Sequence, residues 1–97
     1  MTHYKLSSAA QSDLIEIRRY TLERWGQTQW TAYFSELKQS MELLASNKLL
    51  GIAVSELRQD YFRFLLKHHV IYYTRKQEHI IIAAILGKHM SPAKHFS

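Results

Sequence analysis

The sequence predicts a two-layer α+β domain: a short N-terminal strand, then an antiparallel helical hairpin packed on a three- to four-stranded antiparallel sheet. Three observations carry this expectation. The first half places apolar residues at steps of three and four. The second half, from Glu56, turns to β-rich runs joined by links too short for crossovers. The length of 97 residues leaves room for one domain, spanning 1–97.

Tyr4 to Leu6 reads as a β-like entry. Ser8 stands three residues before Gln11, the spacing of a capping box, and Ala10, Leu14, Ile17 and Thr21 follow at helical spacing. Tyr20 and Trp25 lie close to the same stripe. Gly26 is a suitable stop, because the residue after a helix often needs a left-handed backbone. The first helix is therefore expected over roughly Ala9 to Trp25.

The second helix has the clearest pattern. Trp30, Tyr33, Phe34, Leu37, Met41, Leu44 and Ala45 recur at helical steps, opposite polar Gln29, Ser35, Glu36, Lys38, Gln39 and Glu42. Thr28 is its expected N-cap. With only Gly26 and Gln27 between them, the two helices must fold back on each other.

The pattern breaks at Ser46-Asn47-Lys48, and Gly51 marks a loop. Tyr61 to Leu66, Val70 to Thr74 and Ile80 to Ile85 are the expected strands, separated by Lys67-His68-His69 and Lys76-Gln77-Glu78. A small strand around Glu56 to Arg58 is expected before them. Ile80-Ile81-Ile82 is apolar in both phases, so the central strands are covered on both faces. The helices cover one face; the C-terminal tail or a partner protein covers the other.

Composition narrows the class. At 46% hydrophobic and 12% aromatic the chain can build a core without staples. It has no cysteine, which excludes disulfides and thiolate metal sites and fits a cytoplasmic protein. No apolar h-region follows Met1 to Lys5, and the run Ile80 to Leu86 is too short to span a bilayer, so neither a secretory signal nor a membrane contact is expected. Lys plus Arg outnumber Asp plus Glu by 13 to 8, a net charge of +5, which favours acidic partners without choosing among them. No long Lys/Arg run is present, and the stretch from Gly87 to Ser97 is mildly basic through Lys88 and Lys94.

Parts for enzymatic chemistry are sparse. The glycines lack phosphate-loop spacing, and no nucleophile elbow or carboxylate pair is present. The six histidines, His3, His68, His69, His79, His89 and His95, show no metal-ligand spacing, so no metal and no cofactor is expected. His68 and His69 are expected in a hairpin turn, one ring packed at the sheet edge. Arg58 and Arg63 flank the first hairpin with Lys67 beyond. They form either a basic patch for DNA, RNA or acidic protein, or solvated cations with Arg58 bridging Glu56 or Asp60. Most of Tyr20, Trp25, Trp30, Tyr33 and Phe34 must be core, yet two tryptophans beside one tight turn exceed what a small core contact needs.

The ordered set of residues resembles the ParE branch of the ParE/RelE toxin family. Tyr4-Lys5-Leu6-Ser7, Ala10, Asp13-Leu14, Ile17 and Tyr20 look like its opening, and Trp25-Gly26, Gln29, Tyr33 and Leu37 continue it. Glu56-Leu57-Arg58, Tyr61, Arg63-Phe64 and His69-Val70-Ile71-Tyr72-Tyr73 form the most distinctive segment, and Ile82, Ile85-Leu86 and Met90 match the last strand and tail. The chain departs from many relatives at Ala84 and Gly87, where an arginine and a histidine are common, and at Asn47-Lys48, where a proline is common.

The resemblance implies a toxin of a toxin–antitoxin operon that inhibits DNA gyrase by binding and blocks replication, with no cofactor. It meets nucleic acid only through the target complex. It also implies a hetero-oligomer with a ParD-like antitoxin, whose partly disordered segment wraps the toxin. On this reading Arg58, Arg63, His89 and Met90 engage the target, and Tyr20, Trp25, Trp30 and Tyr33 meet the antitoxin. Two other readings stand beside it. In a RelE-like ribonuclease, His89 with Arg58, Arg63 and Tyr73 would supply acid–base and phosphate-binding groups. An inactive relative would only bind its antitoxin, with Ala84 and Gly87 as the reason.

Overall fold

The structure is a computed structural model and describes residues 3–95. In chain order it comprises β1 (His3–Leu6), α1 (Ser8–Trp25), α2 (Gln27–Ser46), a 3-10 turn (Lys48–Leu50), β2 (Ile52–Ala53), β3 (Tyr61–Leu66), β4 (His69–Arg75), β5 (His79–Gly87) and a short α3 (Pro92–His95). The class is the expected one, two helices on a sheet, but the sheet has five strands in the order β1-β5-β4-β3-β2. It is mixed. β2 to β5 pair antiparallel, whereas β1 lies parallel to β5 because the helical hairpin carries the chain back over the sheet before β5 forms.

Two cap assignments change. Ser7, not Ser8, caps α1: its Oγ accepts from the Ala10 N–H at 3.0 Å, while Gln11 Nε2 donates to the Leu6 carbonyl. α2 begins at Gln27 directly after Gly26, without a Thr28 cap. Gly26 makes this possible because its φ of 90° is one that side-chain-bearing residues rarely adopt. Its N–H donates back to Thr21 and Leu22, and its carbonyl accepts from the Trp30 N–H.

The small strand lies at Ile52–Ala53 and not at Glu56 to Arg58. The Leu57 and Arg58 amides both donate to the Val54 carbonyl, closing a turn where an extended pair would have been. That turn also supplies the cover expected from the tail or a partner. Val54 and Leu57 pack with Tyr72, Ala84 and Leu86 on the face away from the helices.

The main core lies on the other face. Ala10 and Ile17 of α1, and Trp30, Tyr33, Leu37, Met41, Leu44 and Ala45 of α2, pack on Ile71, Tyr73, Ile80, Ile82 and Ile85. The step from Ile80 and Ile82 to Ile85 is not period two. A bulge explains it: Tyr73 pairs with Ile82 and Tyr72 with Ala84, leaving Ala83 as the extra residue. The bulged strand is finished by side chains where β1 leaves the edge. Ser7 Oγ donates to the Ala83 carbonyl at 2.9 Å, and Asp13 Oδ2 accepts from the Ile85 N–H at 2.9 Å. These contacts bring α1 onto the sheet and leave its outer face free.

Candidate functional site

Packing the helical stripes on the sheet leaves a groove on the outside of the hairpin. It has a volume of about 440 Å3 and is lined by Leu6, Leu14, Ile15, Arg18, Trp30 and Phe34, together with Gln11. Trp30 and Phe34 set their rings 5.2 Å apart in its wall, and Ile15 is 64% exposed beside them. Towards the hairpin tip, Tyr20 and Trp25 are 56% and 68% exposed, and the Arg24 guanidinium lies 5.3 Å from the Tyr20 ring. Large apolar side chains left this open mark contact surface more often than they mark chance.

The four aromatics expected to meet a partner are therefore divided. Tyr20 and Trp25 stand on the surface. Trp30 is buried but shows one edge to the groove, and Tyr33 is buried against the sheet. The sequence reading missed Ile15 as a groove residue, and it counted Phe34 among the crowded aromatics without choosing it for the partner surface. For Ile15 the signal was an apolar residue just off the stripe of Leu14 and Ile17.

Tyr33 has another task. Its hydroxyl lies 2.6 Å from Nδ1 of His69, the first residue of β4. Burial pushes the Tyr33 phenol up to about 12, outweighing the His68 amide that favours the phenolate. Burial and the neighbouring His68 hold His69 below its ordinary range. Both shifts favour neutral partners, and with the His69 proton on Nε2 the hydroxyl donates to Nδ1. Lys67 adds an ion pair to Glu36 at 3.1 Å, so α2 grips the β3–β4 turn twice. Lys67 thus faces α2 and is paired there. His68 occupies the turn, and His69 is the ring that packs.

The four residues expected at the target surface spread along the sheet. His89 and Met90 sit where β5 ends: the Gly87 N–H donates to Met90 Sδ, the Met90 N–H returns to the Gly87 carbonyl, and Lys88 reaches the His68 carbonyl in the β3–β4 turn. Arg63 lies mid-strand on the face away from the helices, paired in register with Tyr72 and with Ile52, which is exposed, as is Leu65 two residues on. Burial raises the Tyr72 phenol and the Arg63 charge opposes it. Arg58 lies in the turn before β3, its guanidinium 5.8 Å from the Tyr61 ring, with no carboxylate partner in Glu56 or Asp60. The rows from Tyr61 to Leu66 put Arg58 and His89 at opposite ends of the sheet, roughly 20 Å apart at the usual rise per residue.

This spread separates the acid–base constellation. Tyr73 is fully buried on the helical face, and its hydroxyl accepts the Gly51 N–H at 2.9 Å. Arg63 is on the opposite face. With Arg58 and His89 at opposite ends of the sheet, and Arg63 and Tyr73 on opposite faces, the four do not converge on one point. No described helix is long and apolar enough to cross a membrane.

Known proteins share both this fold and this sequence pattern. Residues 4–92 match the family described as the ParE toxin of the type II toxin–antitoxin system, parDE. The chain is 33% identical over 95 residues to a Caulobacter vibrioides protein named Toxin ParE1, covering 98% of each chain. It is 33% identical over 91 residues to Toxin ParE of Escherichia coli, covering 93% of this chain and 88% of that one. A solved structure titled as the chromosomal ParDE TA system from P. aeruginosa superposes with a TM-score of 0.76 over 90% of this chain and 96% of that chain; at 16% identity it speaks to the fold alone. The chain belongs to the ParE toxin family of type II toxin–antitoxin systems.

Proposed function

We propose that this protein arrests growth by binding DNA gyrase and blocking replication in the cytoplasm, and that a ParD-like antitoxin neutralises it by occupying the groove of the helical hairpin. The family match over residues 4–92 supports the toxin role. One observation supports the antitoxin surface: Ile15 and Trp25, together with Phe34, stay open on a face whose buried stripe is already satisfied by the sheet. An amphipathic segment would bury them at about 25 cal/mol for each Å2 of apolar surface. The target surface is the other side of the molecule, where Arg63 lies among Ile52 and Leu65 and the chain continues to His89 and Met90. Action by binding suits residues spread over a face better than acid–base chemistry does, because catalysis needs its groups within hydrogen-bond reach of one atom.

The deciding experiment incubates the purified protein with gyrase and supercoiled plasmid, beside ribosomes programmed with messenger RNA. Linear DNA accumulating while the message stays intact is expected. A cut message with unaffected gyrase would replace this reading with the ribonuclease, and silence in both would leave antitoxin binding as the only activity.

A further inference from the structure

A second basic site lies at the end of the sheet where β3 begins and β4 ends. Arg58, Arg75 and Lys76 line one open cavity of about 370 Å3, with Thr74 and a single acid, Asp60, at its margin. Two of the cations are held on aromatic rings. Arg75 lies 3.5 Å from the Phe62 ring centre, and Arg58 lies 5.8 Å from that of Tyr61. Tyr61 and Phe62 point to opposite faces of β3, so the two guanidiniums bracket the start of the strand. A guanidinium stacked on a ring loses side-chain freedom before any ligand arrives.

Among the described residues neither Arg58 nor Arg75 has a carboxylate partner. Arg75 makes one long hydrogen bond, from Nη2 to the Gly51 carbonyl at 3.4 Å, and its buried Nε has no partner. Buried guanidinium donors are seldom left in that state. Three cations against one acid leave an excess of positive charge at one point. A single carboxylate is satisfied by one guanidinium fork, whereas a phosphate group offers acceptor oxygens in several directions, which suits a cavity lined by Arg58, Arg75, Lys76 and Thr74 from both sides of the strand.

We propose that this cleft binds a phosphate group of a nucleic-acid backbone, giving the protein a direct DNA contact in addition to its protein target. The contact is one of positioning and carries no base preference. Binding of a short fluorescein-labelled DNA duplex, followed by anisotropy across a salt series, tests it without gyrase, so the gyrase reading stands or falls separately. Arg58→Gln and Lys76→Gln, both at exposed positions, are each expected to weaken binding roughly three- to tenfold at low salt and to reduce the salt slope by about one. Arg75→Met is expected to do the same, with circular dichroism checking its fold because Arg75 packs on Phe62. Lys38→Gln, exposed on α2 and remote from the cleft, should leave affinity within about twofold.

No binding by the unaltered protein, or equal losses in Lys38→Gln and the cleft variants, would overturn the proposal. So would a glutamate-rich peptide that binds more tightly than the duplex and loses affinity in the same variants, since the site would then be one for carboxylates.

Discussion

Asp13 of α1 accepts a hydrogen bond from the main-chain N–H of Ile85 at 2.9 Å, across a sequence separation of 72 residues. β5 has a bulge at this point and β1 has already left its edge, so the Ile85 amide has no strand partner on that side. The carboxylate takes the place of the missing strand. Replacing Asp13 with Ala should therefore cost about 1–3 kcal/mol, the usual consequence of orphaning a buried donor. Asp13→Asn keeps an acceptor and should cost less. Urea unfolding at constant m-value checks both, and an alanine variant as stable as the parent would show that water serves the amide equally well.

Gly51 is needed for its lack of a side chain and not for its backbone angle. A Cβ there would overlap the Tyr73 ring and hydroxyl, in the same place where the Gly51 N–H donates to that hydroxyl. Tyr73 is fully buried and cannot retreat. Gly51→Ala is expected to lower stability by about 1–3 kcal/mol through overpacking. The thermal midpoint of this variant against the parent decides the matter.

Burial of the Tyr33–His69 pair should make stability depend on pH at both ends. His69 has a folded-state value below its ordinary 6.5, so its contribution is complete above 6.5 and is lost as pH falls from there towards the lowered value. Tyr33 is raised from 10.0 to about 12, so its contribution is complete below 10.0 and is lost as pH rises towards 12. His68, Glu36 and Lys67 are the other charged or titratable groups in this grip. Tyr33→Phe should reduce the alkaline loss, with the shares of Tyr4 and Tyr72 retained, and leave the remaining acid dependence in place. An alkaline limb that persists unchanged in this variant would assign it to another group.

The groove and the core should respond differently to substitution. Ile15→Glu and Trp25→Ala are expected to weaken antitoxin binding roughly ten- to a hundredfold while leaving the thermal midpoint almost unmoved, as for exposed anchor residues. Trp30→Ala should instead cost about 3–5 kcal/mol of stability because it empties the core. Calorimetric titration of the co-encoded antitoxin, paired with melting curves, separates the two classes.

Reversing a charge on the sheet face should spare the groove. Arg63→Glu is expected to reduce gyrase-dependent linear DNA by at least about tenfold, since a like-charge contact opposes association, with antitoxin affinity unchanged. Equal loss in both assays would mean that one surface serves both partners.

The sequence alone determined the two helices, the three long strands and the class, because each rests on local periodicity, which packing interrupts only at the bulge in β5. Tyr61 to Leu66 is β3 to the residue, and the stripe from Trp30 to Ala45, Phe34 excepted, is the one that α2 buries. Cap identity was less legible: Ser7 and Ser8 are chemically alike, and only the path of β1 into α1 decides which hydroxyl meets the Ala10 amide. The parallel pairing of β1 with β5 and the completion of the Ala83 bulge by Ser7 and Asp13 join residues more than 70 apart, and no local pattern encodes such partners. The same holds for the functional surfaces. Spacing could list arginines and aromatics, but the fold alone turned Tyr73 inward, carried Arg58 away from His89, and set Arg58 beside Arg75 and Lys76. Side chains become a site only where distant strands end side by side, and that is decided by tertiary packing.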